Sequence, residues 1–114
     1  MKNFTNFGDG VAAELLKGQL QGLLTGTVLS KAADYALAPE EKTAYIGITL
    51  TAASKTVTLG LPENAVAIVV NEGGTNAFTL KNVSGDSGTS VAAGKLAVVR
   101  ASTTANGSKV YVLN

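Results

Sequence analysis

The chain has 114 residues, with 9 basic and 8 acidic side chains for a net charge of +1, and contains neither histidine nor cysteine. That length fits one domain, or one small domain with an arm. The missing imidazoles and thiols exclude disulfides, thiolate nucleophiles, histidine bases and every His/Cys metal site.

Apolar residues make up 46% of the chain and charged residues 15%, against ~25% charged in an average soluble domain. The missing charge is replaced by Thr, Ser, Asn and Gly. No charged run builds the field that nucleic acid requires, and no apolar stretch reaches the ~18 residues of a membrane span. A soluble protein is expected, with no nucleic-acid or membrane partner. Residues 1–6, Met1-Lys2-Asn3-Phe4-Thr5-Asn6, lack the apolar core of a signal peptide, which predicts synthesis in the cytoplasm.

From residue 9 to 24 the apolar positions 12, 15, 16, 20, 23 and 24 fall on one helical face. The spacing predicts an amphipathic helix, capped by Asp9 and closed by Gly26. Gly18 and Gly22 weaken it by ~0.8–1.0 kcal/mol each, so it needs a surface to pack on. That surface is either this protein's own β core or another chain. The self-contained pattern after Pro39 favours another chain, with Phe4, Phe7, Leu15, Leu16, Leu20, Leu23 and Leu24 as the partner-binding anchors. Residues 27–38 read equally as a helical turn or an extended connector.

After Pro39 the period becomes two. Ile46, Ile48 and Leu50 alternate with Tyr45, Gly47 and Thr49, and Val57, Leu59 and Leu61 alternate with Thr56, Thr58 and Gly60. The runs 66–70 and 77–81 flank Glu72-Gly73-Gly74-Thr75-Asn76 and read as a hairpin; 96–100 and 110–113 flank Asn106-Gly107 and read as a second. No internal repeat is apparent. Six or so short strands punctuated by turns predict a mainly β fold: a small antiparallel β-sandwich or barrel over 39–114, preceded by the helical arm 1–38.

Candidate chemistry is sparse. Gly85-Asp86-Ser87-Gly88 matches the surroundings of a serine-protease nucleophile, but a serine there needs an imidazole and the chain has none. A hydrolase using Ser87 with a lysine is the least favoured reading, and a plain loop is the favoured one. The eight acids are dispersed without spacing for acid/base work. The Gly-rich stretches lack the dinucleotide and phosphate-loop fingerprints. No catalytic residue, metal or cofactor is expected. The sequons at Asn3, Asn82 and Asn106 read as chance in a Ser/Thr/Asn-rich chain.

From Ala33 to the last strand, the order of motifs resembles a small β module of tailed-bacteriophage virion proteins. The motifs are Asp34-Tyr35-x-Leu37-x-Pro39-Glu40-Glu41, Ile48-Thr49-Leu50-Thr51-Ala52, Val57-Thr58-Leu59-Gly60-Leu61-Pro62, Val69-Val70-Asn71, a Gly/Thr turn, Phe78-Thr79-Leu80-Lys81 and Ala93-Gly94-Lys95-Leu96. Such modules occur in head fibers, capsid decoration proteins and tail-fiber segments. The resemblance implies a structural virion protein. It implies a capsid decoration or head-fiber protein, docked by its N-terminal arm on the major capsid protein or neighbouring virion proteins. The small β unit, with no disulfide or metal to staple it and few charges to repel across a contact, predicts a homo-oligomer, and the resemblance favours a trimer over a dimer. The chain ends on the β module, which disfavours a full tail fiber with a receptor-binding tip. The alternatives are a tail-associated fiber or baseplate module and a carbohydrate-binding β module; only three Tyr and three Phe, with no Trp, are present to hold sugars, so any carbohydrate contact would be weak.

Overall fold

The computed structural model describes residues 25–113. The expected helix and its anchors fall outside them.

Among the described residues nine strands form where Val, Ile, Thr, Tyr and Phe concentrate, residues whose branched or aromatic side chains pack well on a pleated surface. They are β1 (Thr27–Lys31), β2 (Tyr35–Ala36), β3 (Tyr45–Leu50), β4 (Lys55–Thr58), β5 (Val66–Asn71), β6 (Phe78–Lys81), β7 (Thr89–Val91), β8 (Leu96–Arg100) and β9 (Lys109–Leu113). A 3-10 turn, Pro39–Glu41, separates β2 from β3. The strands make a five-stranded sheet of order β1-β3-β5-β8-β9 and a four-stranded sheet of order β2-β4-β6-β7. The ambiguous segment 27–38 therefore supplies two strands, and the sheets begin ahead of Pro39.

The fold is mainly β, as the alternation predicts, but it is not antiparallel. β1, β3 and β5 run parallel, as do β2, β4 and β6; only the β5–β8, β8–β9 and β6–β7 ladders are antiparallel. From β1 to β6 the chain visits the two sheets in turn, so each strand returns to its own sheet pointing the same way. A parallel crossover usually needs a helix; here the intervening strand of the other sheet makes it. The predicted hairpin of 66–70 and 77–81 is overturned for the same reason. β5 and β6 lie in different sheets, and the 72–77 connection carries the chain from one to the other. The second hairpin forms as expected, with Val98 opposite Tyr111 and Asn106 at φ 62° in its turn.

Both sheets turn one face inward to a shared core. Ile46, Ile48, Leu50, Val69, Ala97 and Val99 come from the five-stranded sheet, and Val57, Phe78, Leu80 and Val91 from the four-stranded one; Leu37, Leu59 and Leu61 fill in from connections. Polar groups close the ends of this core. Asn71 donates from Nδ2 to the carbonyls of Asn76 (2.8 Å) and Val91 (2.9 Å) and accepts from Gly73 N. Asn82 donates from Nδ2 to the carbonyls of Leu61 and Ser102 and accepts from Leu61 N. No buried side-chain N or O among the described residues lacks a partner, which is what a well-determined interior requires.

Candidate functional site

Because successive side chains point to opposite faces of a sheet, fixing the inward rows fixes the outward ones. On the five-stranded sheet, Tyr45, Ile68, Val98 and Tyr111 line up across β3, β5, β8 and β9. A second row runs Val28, Gly47, Val70, Leu96, Leu113 across all five strands. Val66 stands at the end of the same face, beside Arg100 and Lys109. Six of these are large apolar side chains open to solvent: Val28 is 68% exposed, Val66 63%, Tyr111 63%, Leu113 54%, Ile68 39% and Tyr45 38%. Scattered apolar residues on a surface are ordinary, but here they form one contiguous face.

One acid sits within it. Tyr45 Oη donates to Glu72 Oε2 at 2.6 Å, which, with burial, raises the Tyr45 hydroxyl above its usual pKa. The Glu72 carboxylate lies over Gly47, where any Cβ would collide with it. The missing side chain at 47 leaves the place in the apolar row that this carboxylate fills.

The four-stranded sheet faces outward with Thr56, Thr79 and Ser90 in one row and Ala36, Thr58 and Lys81 in the next. A shallow groove beside Tyr35, Thr56, Thr58 and Lys81 runs over this polar face.

The loop containing Ser87 is built around its acid. Buried Asp86 accepts from the backbone amides of Asn82 (2.9 Å), Val83 (3.2 Å) and Asn106 (2.6 Å). Burial pushes its carboxyl up, but these three amides outweigh burial and hold it below its ordinary 3.8. Ser87 donates its backbone N–H to Asn106 Oδ1. Lys81 and Ser87 both line a cavity of about 110 Å3, smaller than the ~300–1,000 Å3 of a typical small-molecule site. Asp86 acts as a clamp between loops. Glu63 clamps in the same way, accepting from Thr103 N, Thr103 Oγ1 and Ser102 Oγ, and the Thr103 bonds lower its carboxyl from 4.5.

The lead-in motif is also structural. Asp34 accepts from Thr56 N, Tyr35 Oη donates to Glu41 Oε1 at 2.6 Å, and the same oxygen caps Ala38 N. Lys31 Nζ lies 4.2 Å from the Tyr35 ring centre, a cation–π contact. The Asn82 sequon falls on a buried, fully bonded amide. No group of three or more acids that could hold a metal ion occurs among the described residues, and no described helix is long and apolar enough to cross a membrane.

The expected anchors Phe4, Phe7, Leu15, Leu16, Leu20, Leu23 and Leu24 lie outside the described residues. The apolar outer face is the feature that sequence reasoning missed. Its signal was present in 66–70, Val-Ala-Ile-Val-Val, where the outward positions are as apolar as the inward ones. No protein family, curated protein or solved structure matches the chain.

Proposed function

We propose that this protein is a structural part of a tailed-phage virion, a capsid decoration or head-fiber protein. It docks on the head through its N-terminal arm and displays the β unit outward, with the major capsid protein or a neighbouring virion protein as its partner. It is made in the host cytoplasm, works as a homo-oligomer, and is not an enzyme. The observation that carries this reading is the employment of the polar side chains. Asp86, Glu63, Glu41, Asn71 and Asn82 are committed to backbone groups of the fold, whereas a reactive site holds such groups poised toward a cleft. The resemblance of the 33–113 motif order to virion modules points the same way.

The test is imaging of intact particles carrying the full chain or its Leu16→Asp/Leu20→Asp variant. A charge in an apolar contact costs several kcal/mol unless it is paired. The expected result is density on the head with the native chain and its loss with the variant, while the β circular-dichroism spectrum is unchanged. Density on the tail would move the protein to the fiber or baseplate class, and full incorporation of the variant would refute docking by the arm.

A further inference from the structure

We propose that the outer face of the five-stranded sheet is where copies of this chain meet, each covering the other's Val28, Tyr45, Ile68, Tyr111 and Leu113. This goes beyond the virion reading by naming the surface and its occupant, and it stands or falls in solution without any particle.

The face is large enough for a contact between copies. At these exposures the six large side chains together present on the order of 600 Å2, the upper end of the largest apolar patch on a typical monomer, ~300–600 Å2. Each partner of a standard interface buries ~800 Å2. The partly exposed Val70, Leu96 and Val98 and the charged ends of the face supply most of the remainder.

The face is also broader than one helix. The apolar row from Val28 to Leu113 crosses all five strands, which at ~4.8 Å per step is about 19 Å. A single helix such as that expected over 9–24 is ~10 Å wide and, lying along the strands, covers about two of them. A second sheet of the same width covers all five.

Charge is concentrated at one end of the face. Arg100 and Lys109 stand at one end of the face, and its single inner acid, Glu72, is already bonded to Tyr45. Each face thus brings a single carboxylate toward the contact, held by the hydroxyl of a neutral tyrosine, while the rest of its centre is uncharged, in keeping with the depletion of charge at interface cores.

The native chain has no cysteine, so one introduced thiol reports on one position. Full-length Val28→Cys and Tyr111→Cys report on the apolar face, and Ser90→Cys on the polar face. Each is followed by alkylation rate and by sedimentation from low to high micromolar concentration. The expected result is a mass above monomer at high concentration. Alkylation at 28 and 111 should slow at least tenfold (on the order of 1.4 kcal/mol) over that range, while position 90 reacts at a constant rate. Ile68→Lys should return the chain to monomer with its β spectrum intact. A native chain that stays monomeric with both thiols reactive overturns the proposal. So does a monomer whose thiols are protected at every concentration, since the chain's own N-terminal segment would then cover the face. An oligomer in which 28 and 111 stay reactive also overturns it, because the copies would meet elsewhere.

Discussion

On the five-stranded sheet the two central outward rows read Tyr45, Ile68, Val98, Tyr111 and Val28, Gly47, Val70, Leu96, Leu113, flanked by Val66, Arg100, Lys109 on one side and by Ser30 and Thr49 on the other; on the four-stranded sheet they read Thr56, Thr79, Ser90 and Ala36, Thr58, Lys81. The buried residues of the two sheets are alike, aliphatic with one phenylalanine, and share one core. One strand rule therefore serves two purposes. Thr on the outer side keeps a shape that a pleated surface favours while remaining content in water. Val, Ile and Tyr on the other outer side keep the shape and leave apolar surface open. A mean composition of 46% apolar residues averages over this difference and conceals it.

The comparison breaks first if the inward rows are not equivalent. Phe78, 2% exposed, stands opposite Lys55 and Val91 in the four-stranded sheet, and Ile48, 0% exposed, is its counterpart in the five-stranded one. Phe78→Ala should cost ~3–5 kcal/mol and Ile48→Ala ~2–5 kcal/mol in urea melts. A loss under about 1 kcal/mol at either position would mean that its sheet is not part of the common core.

Next come the two asparagines, one ending β5 and one following β6. Asn82→Leu strands the buried Leu61 amide and the Leu61 and Ser102 carbonyls, and an unmade buried hydrogen bond costs ~1–3 kcal/mol. A loss of at least ~2 kcal/mol is expected, with a similar one for Asn71→Leu. If only one variant melts early, the two ends of the core are held differently.

These asparagines also show where the sequence was legible. The strands could be read because inward alternation is a local property, visible in Ile46, Ile48 and Leu50 without knowledge of the partner strand. Pairing could not be read. Tyr45 lies against Ile68 and Lys55 against Phe78, in each case 23 positions along the chain, yet of the aligned pairs in these two ladders only Thr56 and Thr79 are identical. A parallel ladder asks for a matching inward side, not for matching residues, so the winding left no repeat to see. The 72–76 stretch misled because a crossing between sheets and a hairpin turn want the same small, polar residues. What distinguishes them is Asn71, whose amide holds Gly73, Asn76 and Val91 together, a long-range fact. The apolar outer face was hidden for a related reason: within the runs 66–70 and 96–100 nothing local separates Val66, Ile68 and Val98 from the inward residues beside them.

Acid sharpens the comparison by acting on what the two sheets share. Asp86 ties the loop after β6 to the β8–β9 turn, and Glu63 ties the loop after β4 to the same connection. Both carboxyls, and that of Glu41, lie below their ordinary values of 3.8 and 4.5 when folded. The folded state thus favours their charged forms. Their contribution is complete above those values and is lost as pH falls through 4.5 and then below 3.8. The melting temperature should be flat near neutrality and fall in this window. Asp86→Asn should lower it at neutral pH and shrink the acid-dependent part; an unchanged acid limb would show that the Asp86 clamp does not form.

The smallest effect on stability is expected on the polar outer face, where it tests whether apolar character alone makes a docking surface. Thr56→Val, Thr58→Val and Thr79→Val exchange a hydroxyl for a methyl at nearly constant volume, at half-buried positions whose side chains face outward. Surface changes of this kind stay within ~0.5 kcal/mol each, and valine keeps the β preference of threonine, so melting of the triple variant should shift little. Its association should change more. With three methyls added beside Ala36, the face begins to resemble the row through Val28 and Val70. If exposed aliphatic surface is sufficient for contact, sedimentation should reveal a second mode of association, insensitive to Ile68→Lys. If the triple variant keeps the native mass, then the five-stranded face works through something the four-stranded face lacks even when it is made apolar: five strands of breadth and two exposed tyrosines, Tyr45 and Tyr111, whose rings supply large contact area at little entropic cost.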